Sequence, residues 1–436
     1  MADIVLVPII LILFFLLLLA GLYIHSVLLG VGVIGLLLID QGNLLNGLLG
    51  SDPFNSIANY TLTTIPLFVL MAQFVLNAGI VKDLFTIVYN ISIGRKGTLG
   101  ALTLVVGGLL GAVSGSGTAT SASMGQVAVP ELRNYGYNQN LAGAVAAAAG
   151  SLSGIIPPSL ILILFGVFSE TPIGDLFMGA IIPGIIMTLC FMIAMVFLLN
   201  RTTPPERKKE KIKFTRREIT KRAIITSLGA SLFIAFVIFG GIYSGFVTPT
   251  EAAALGAFGG FIAAIILGKV NKEFMINSIR ETVNVTGMVI IIFIGAKILS
   301  RFVSVSLLPR KLVESLGSLI EYPITILIII SLVYFILFMF IEGGAVILMT
   351  LPVLLPIIEM IDINLIWFGV FVGVLCTLGL LTPPVGLSVF AVGGVTRIPL
   401  DGIFKYSLVF AGFSGLVLIV LMVVFPQLVL WLPNTM

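Results

Sequence analysis

The sequence has few side chains that could carry catalytic or metal chemistry. Its 436 residues include one histidine, His25, and two cysteines, Cys190 and Cys376. The two cysteines lie in apolar runs, so they provide neither a disulfide framework nor a thiolate cage for a metal. A single imidazole leaves few routes to general acid–base catalysis. The composition therefore predicts a protein that is not an enzyme and that has no bound cofactor.

Charged side chains are also scarce. They make up 10% of the residues, against about 25% in typical soluble proteins, while 59% of the residues are hydrophobic and the mean hydropathy is +1.21. These values predict an all-α integral membrane protein in contact with the lipid bilayer. The net charge of +4 arises largely from one loop, so it indicates no nucleic-acid partner. The chain has no Gly-x4-Gly-Lys motif, which argues against ATP as the energy source.

Long apolar runs predict the membrane spans, since about 20 apolar residues cross a bilayer core. The predicted spans cover residues 4–22, 26–40, 62–79, 138–169, 172–199, 222–244, 249–268, 282–300, 364–394 and 401–431. The first is expected to be a retained span, because it has no basic region and no small-residue cleavage site. Two further apolar blocks, 98–131 and 322–361, are interrupted near the middle by small residues. We predict that each forms a re-entrant helical hairpin, called hairpin 1 and hairpin 2.

The distribution of charge predicts the orientation. The loop 201–222 holds ten of the 23 Lys and Arg residues, and basic loops of this length stay in the cytoplasm. Working outward from it, we expect the loop around Asp40 and Asp52 and both termini to be periplasmic. Hairpin 1 then enters from the cytoplasmic side and hairpin 2 from the outer side. Two amphipathic segments, 82–93 and 301–319, predict arm helices that lie in the membrane interface.

The sequence repeats itself at an offset of 226 residues, without a gap from Gly117 to Asp175. The identical pairs are Gly117 and Gly343, Ala119 and Ala345, Pro130 and Pro356, Pro157 and Pro383, Pro158 and Pro384, and Asp175 and Asp401. Each copy contains a hairpin tip, a small-residue helix, a Pro-Pro break and another helix. Because the chain crosses the membrane an odd number of times between the copies, they point in opposite directions and form an inverted repeat.

The residue types of the repeat suit an ion and substrate site. A Pro-Pro pair removes two amide donors and unwinds a helix, which frees carbonyl oxygens that can ligate a cation. The half-helix beyond it offers N–H groups and a positive dipole end to an anion. We call residues 114–118 and 342–345 tip 1 and tip 2, and residues 151–159 and 377–386 break 1 and break 2. These four elements are expected to meet near the membrane midplane, with the two broken helices discontinuous there.

Five stretches carry a resemblance to a known family. They are SGSGTATSASMGQVAVPEL at 114–132, GSLSGIIPPS at 150–159, TPTEAAALGA at 248–257, LPVLLPI at 351–357 and LGLLTPPVG at 378–386. Through them the chain resembles the large, DctM-like membrane subunit of tripartite ATP-independent periplasmic (TRAP) transporters over essentially its whole length. The resemblance implies a sodium-coupled, elevator-type importer in the bacterial inner membrane. It also implies a periplasmic substrate-binding protein, a separate small membrane subunit of about four helices, and an organic anion such as sialic acid, a C4-dicarboxylate or a 2-oxo acid.

An elevator-type protein divides into a scaffold and a moving transport domain, which gives each segment an expected role. Scaffold helices and arms are expected in 1–97 and 223–321, the two halves of the transport domain in 98–170 and 322–396, a connecting helix in 171–200, the cytoplasmic loop in 201–222 and the final helix in 397–436. The transport domain would contain both hairpins and both breaks.

The candidate ligands come from the tips and breaks. For a first sodium site they are Ser114, Ser116, Gly117, Thr118, Ser151, Ser153, Gly154 and Pro157. For a second sodium site they are Glu342, Gly343, Gly344, Thr377, Gly379, Thr382, Pro383 and Gly386. The candidate substrate contacts are Ser116, Thr118, Ser159, Gly344 and Thr382. No metal other than Na⁺ is expected. The alternative interpretation is that these small residues only let helices pack closely.

Charged residues near the predicted spans have alternative interpretations. Glu342 is either a functional group at membrane depth or a hydrated side chain near the outer surface. Glu251 fits the third position of a capping box that starts at Thr248 and is expected to be structural. Lys297 and Arg301 lie near a span end, where snorkelling or a partner-facing role is expected.

Other functions remain possible from the residues alone. A stand-alone sodium–dicarboxylate symporter would need neither a binding protein nor a small subunit. An intramembrane serine protease would need a base beside its serine, and only Lys297 could supply one. A channel is a further alternative, but hairpins of opposite orientation favour alternating access.

Overall fold

The computed structural model describes residues 9–10, 12–14, 16–18, 20–50, 52–92, 95–202, 218–308 and 322–436. Within these ranges the chain is helical and contains no β-strand. The first ten helices are α1 (Ile24–Leu38), α2 (Leu45–Gly50), α3 (Asp52–Ile57), α4 (Thr64–Asn77), α5 (Ile80–Ser92), α6 (Lys96–Ser114), α7 (Gly117–Asn134), α8 (Gln139–Ser151), α9 (Leu160–Ser169) and α10 (Ile173–Thr202). The others are α11 (Lys221–Ala235), α12 (Pro249–Ile266), α13 (Lys272–Val305), α14 (Pro323–Phe340), α15 (Gly343–Met360), α16 (Leu365–Gly379), α17 (Leu387–Thr396), α18 (Leu400–Val424) and α19 (Gln427–Leu430).

The predicted all-α membrane fold is confirmed. Among the described residues, eight helical stretches are long and apolar enough to cross a membrane. The hairpins correspond to α6–α7 and α14–α15, the two broken helices to α8–α9 and α16–α17, and the first predicted arm to α5. The predicted span 4–22, the central part of the loop 201–222 and the end of the second arm lie wholly or largely outside the described residues.

One predicted boundary is wrong at α13, a single helix of 34 residues. The span expected to begin at residue 282 and the arm expected to begin at Arg301 are both parts of it. Asn271 sets its start, because its side chain accepts a hydrogen bond from the N–H of Phe274 at 2.7 Å. No proline follows before Val305, so nothing in the chain forces the helix to end at the membrane surface.

The predicted end of the last span is also wrong. The helix α18 ends at Val424 rather than at residue 431. Pro426 follows directly and has no N–H to continue the helical hydrogen bonds. A separate short helix, α19, comes after it.

The inverted repeat is visible in the helix boundaries. The helices α7 and α15 start and end 226 residues apart, and Asn138 and Asn364 cap the helices that follow them. Beyond the breaks, α9 and α17 start 227 residues apart. The gap-free offset predicted as far as Asp175 is therefore wrong after the Pro-Pro pairs, because break 2 has one more residue before its second helix.

The first helices of the two copies are exchanged. The helix α1 packs on α13, where a methyl group added at Gly35 would lie 2.6 Å from the ring of Phe302. The helix α12, which lies one repeat after α1, packs on α4, and the hydroxyls of Thr64 and Thr250 are 2.6 Å apart there. Since α4 lies one repeat before the second half of α13, each copy covers the other in the same way.

The capping box predicted at the start of α12 is confirmed. The N–H of Glu251 donates to the Thr248 hydroxyl at 3.3 Å, and the N–H of Thr248 donates to the Glu251 carboxylate at 2.7 Å. We expect Thr248→Ala to lower the free energy of unfolding by about 1 kcal/mol, measured as a small fall in the melting temperature of the purified protein, with uptake unchanged. Lost uptake at an unchanged melting temperature would contradict this structural role.

Candidate functional site

Tip 1 is a two-residue turn between the helices of hairpin 1. After α6 ends at Ser114, Gly115 takes a φ of +65°, a left-handed conformation that glycine adopts without steric cost. Ser116 caps α7, and its hydroxyl lies 3.1 Å from that of Thr118. The Ser114 hydroxyl contacts the Thr120 hydroxyl. Hairpin 1 therefore ends in a cluster of four hydroxyl groups.

Tip 1 lies against both breaks. A methyl group added at Gly117 would lie 3.1 Å from the Ser153 hydroxyl oxygen in break 1 and 2.8 Å from the side chain of Leu380 in break 2. In α6, a methyl group added at Gly111 would lie 2.8 Å from the backbone nitrogen of Ser153. Glycine is required for so close an approach. Gly117 and Ser153, predicted as members of one site, are thus neighbours.

The two breaks also touch each other. A methyl group added at Gly154 in break 1 would lie 2.7 Å from the Thr377 hydroxyl oxygen in break 2. One added at Gly373 would lie 3.0 Å from the carbonyl oxygen of Gly154. The backbones of break 1 and α16 therefore approach closely where small residues allow it. The structure joins residues of both candidate sites, and their binding of sodium stays a prediction.

Tip 2 has more apolar surroundings than tip 1. A methyl group added at Gly343 would lie 2.6 Å from Ile161 in α9 and 2.8 Å from the sulfur of Cys376 in α16. Glu342 precedes α15, and its side chain makes no capping hydrogen bond. Its carboxylate forms no hydrogen bond or ion pair with any residue that the structure describes. Two tips related by the repeat therefore differ in chemistry, as the sequences of the tips predict.

Break 2 is held by hairpin 2. Gly386 has a φ of +54°, and its N–H donates to the carbonyl of Met339 at 3.0 Å. A methyl group added at Gly379 would lie 2.5 Å from Cβ of Phe338. Pro383 is partly buried between them. These contacts place Gly379 and Gly386 as packing positions at the end of α14.

Not all predicted members of the first sodium site face polar surroundings. Pro157 lines an apolar cavity of about 540 Å³ with Val105 and Ile181. The Ser151 hydroxyl donates to the carbonyl of Ala148 at 2.9 Å and is fully buried. The polar part of break 1 therefore centres on Ser153.

The candidate substrate contacts are less well gathered. The Ser159 hydroxyl is buried and donates to the carbonyl of Gly154 at 3.0 Å, and a methyl group added at Gly344 would lie 2.8 Å from Leu164. No hydrogen bond within the described ranges joins Ser159, Gly344 or Thr382 to tip 1. The substrate set stays a prediction.

The site offers oxygen atoms rather than soft metal ligands. The described residues contain no group of three His, Cys, Asp or Glu side chains that could hold a metal ion. The hydroxyls of Thr377 and Thr382 donate to helix carbonyls at 3.0 and 2.8 Å, which leaves their lone pairs available. The buried Ser153 hydroxyl has no hydrogen-bond partner in the described part of the chain. Hydroxyl and carbonyl oxygens suit a hard cation such as Na⁺.

Sequence reasoning missed Ser388 as a member of the site. It is fully buried near the start of α17, and its hydroxyl has no hydrogen-bond partner within the described ranges. Its N–H donates to the carbonyl of Leu380 at 3.1 Å and so spans break 2. The available signal was a hydroxyl in an apolar run four residues after Pro384.

Comparisons with known proteins agree with this geometry. Residues 11–428 match the family model described as "Tripartite ATP-independent periplasmic transporter, DctM component". The chain is 30% identical to the sialic acid TRAP transporter large permease protein SiaM of Vibrio cholerae over 87% of each chain. It is 29% identical to the 2,3-diketo-L-gulonate TRAP transporter large permease protein YiaN of Escherichia coli, over 86% of this chain and 87% of that one.

A solved structure supports the fold alone. The Alcanivorax borkumensis YdaH transporter, described as having an unusual topology, superposes with a TM-score of 0.63 at 14% identity. The match covers 89% of this chain and 90% of that one. The arrangement of helices is therefore shared with a membrane transporter of distant sequence.

Proposed function

The chain belongs to the DctM family of tripartite ATP-independent periplasmic transporters, and from this premise we propose that it imports a small organic anion in symport with Na⁺. It is a multi-pass membrane protein of a transporter and not an enzyme. A tripartite transporter has two further components, a small membrane subunit and a periplasmic binding protein. We propose that the small subunit is a separate chain of about four helices and that the binding protein delivers the anion.

The observation that carries the proposed sodium coupling is the contact of tip 1 with both breaks. It places the four hydroxyls of tip 1 and the unpartnered Ser153 hydroxyl beside a helix end whose two prolines, Pro157 and Pro158, provide no N–H donors. Such a concentration of acceptor oxygens in a water-poor interior is costly unless a cation or water satisfies it. This supports Na⁺ as the coupling ion.

The relatives support an organic anion without selecting one. Their printed names specify sialic acid, C4-dicarboxylates, 2,3-diketo-L-gulonate and isethionate. All are small anions with carboxylate or sulfonate oxygens, which backbone N–H groups at helix ends can bind. We propose a substrate of this class, most simply a carboxylate.

The proposed elevator movement rests on how the tips and breaks are connected. The hairpins and broken helices contact one another closely, while α4 and α13 pack mainly on the first helices of the two copies. A polar cavity of about 880 Å³, lined by Gln126, Arg133, Asn138 and Thr396, lies between α7 and α17. With the orientation set by the basic loop, which also places both termini in the periplasm, this cavity faces the cytoplasm. It supports a release path on that side.

Uptake in reconstituted vesicles tests the proposal. The large subunit is reconstituted with the small subunit and the binding protein encoded beside it, and uptake of labelled carboxylates is measured with an inward Na⁺ gradient. We expect transport that needs all three proteins and that stops when K⁺ replaces Na⁺. Uptake by the large subunit alone would instead show a stand-alone symporter, and uptake unaffected by K⁺ replacement would reject sodium coupling.

A further inference from the structure

Lys297 is an unusual residue for its position. It lies inside the membrane-spanning helix α13, eight residues before its end at Val305. Lysine within a span is costly, and where it occurs it commonly marks a path for ions or substrates. Its ammonium group lies 5.1 Å from the ring centre of Phe168 and 5.4 Å from that of Phe293. These rings attract the cation but do not neutralise it.

Lys297 shares a cavity with a second cation. The cavity has a volume of about 260 Å³ and is lined by Lys297, Arg301, Ser300 and Ser304 of α13, with Leu48 and Pro53 from the loop after α1. No acidic side chain is among its lining residues. Two cations and two hydroxyls around one space form a donor set that suits an anion.

The two cations are not neutralised by the protein. Neither Lys297 nor Arg301 forms an ion pair with a described or neighbouring residue. They are four residues apart on one helix, so their like charges repel across a single turn. A bound anion would remove this repulsion, and the Arg301 guanidinium can hold two oxygens of a carboxylate at once.

The position of the cavity relates it to the proposed transport site. Phe168, which Lys297 contacts, lies at the end of α9, the helix that follows break 1. The same helix α13 also packs on α15 of hairpin 2. The cavity is therefore next to elements that carry both breaks and tips, on the side where the loop after α1 lies.

We propose that this cavity is an anion-binding site that holds the carboxylate or sulfonate group of the substrate before it reaches the tips and breaks. The proposal rests on the proposed function, since it assumes that the anion enters from this side. Lys297 and Arg301 act here as binding residues. The same chemistry would also accept the phosphate of an anionic lipid headgroup, which the experiment separates.

The first measurement is uptake against substrate concentration. Lys297→Gln and Arg301→Gln, each reconstituted with the small subunit and binding protein, are compared with Arg280→Gln, an exposed cation on the same helix. We expect KM to rise about tenfold in the two cavity variants, with the maximal rate within about twofold, because a charge-assisted contact to the arriving anion is lost. Arg280→Gln is expected to keep the wild-type KM. Unchanged KM in both cavity variants would overturn the proposal.

The second measurement varies the lipid. The same proteins are placed in vesicles of phosphatidylcholine alone and in vesicles containing phosphatidylglycerol. We expect the rise in KM in both. If it appears only with phosphatidylglycerol, the cavity binds a lipid headgroup and the proposal for the substrate is wrong.

A binding measurement keeps this proposal separate from the proposed function. In sodium-free buffer, succinate and inorganic phosphate are expected to raise the melting temperature of the purified membrane complex, and Lys297→Gln is expected to remove most of that rise. A Lys297-dependent rise in a protein without sodium-driven uptake would support the anion site and reject the coupling. Sodium-driven uptake with no difference between Lys297→Gln and wild type in either measurement would reject the anion site alone.

Discussion

Gly150→Ala is expected to remove about nine-tenths or more of sodium-driven uptake and to lower the yield of folded protein. A methyl group at this position would lie 2.6 Å from Cα of Ser121, and its contacts with the nitrogen and hydroxyl of Ser121 would be closer still. These are backbone atoms of α7, so no rotamer change can relieve the clash. Overpacking of a dense core costs about 1–3 kcal/mol, and here it would separate hairpin 1 from α8.

The matched control for this prediction is Gly287→Ala. Gly287 also lies in a membrane-spanning helix, but a methyl group there would meet no atom within 4 Å. The substitution is expected to leave uptake unchanged and to favour the helix slightly, since alanine is the better helix former by about 1 kcal/mol. Size-exclusion profiles and melting temperatures of both variants provide the comparison. Wild-type uptake and stability in Gly150→Ala would show that hairpin 1 does not pack on α8 as described.

The hairpins and breaks could be predicted because their chemistry is local. A Pro-Pro pair cannot continue a helix whatever surrounds it, and Gly115 permits the turn of tip 1 without help from other segments. The offset of 226 then pairs each element with a partner, which makes both more certain than either alone. The capping box at Thr248 is local in the same sense.

What the sequence could not provide depends on distant contacts. The approach of Gly154 to Thr377 joins two helices from opposite copies, and no local pattern indicates it. The continuity of α13 through Arg301 also escaped prediction, because the charge resembled a span end while the helix continues. For Lys297, a snorkelling role was expected, but Leu48 and Pro53 enclose it in a cavity with a second cation.

Ser388→Ala is expected to stabilise the protein in sodium-free buffer and to weaken its response to sodium. The Ser388 hydroxyl is fully buried without a hydrogen-bond partner in the described part of the chain. An unsatisfied buried hydroxyl costs about 1–3 kcal/mol, so its removal is expected to raise the melting temperature. If that oxygen ligates Na⁺ in break 2, the same change is expected to raise the sodium concentration for half-maximal uptake about tenfold, which is about 1.4 kcal/mol of binding free energy.

Ser414→Ala is the matched control, because its hydroxyl is equally buried but donates to the carbonyl of Phe410 at 2.6 Å. It is expected to lose about 1 kcal/mol of stability and to keep the wild-type sodium dependence. Melting temperatures with and without NaCl measure both effects, since a ligand that binds the folded state raises stability with its concentration. Should Ser388→Ala lower the melting temperature and leave the sodium dependence unchanged, the hydroxyl would be a structural group. A sodium-specific loss in Ser388→Ala alone can come only from an oxygen that the ion contacts or orders, and that would extend the second site beyond the residues the repeat predicts.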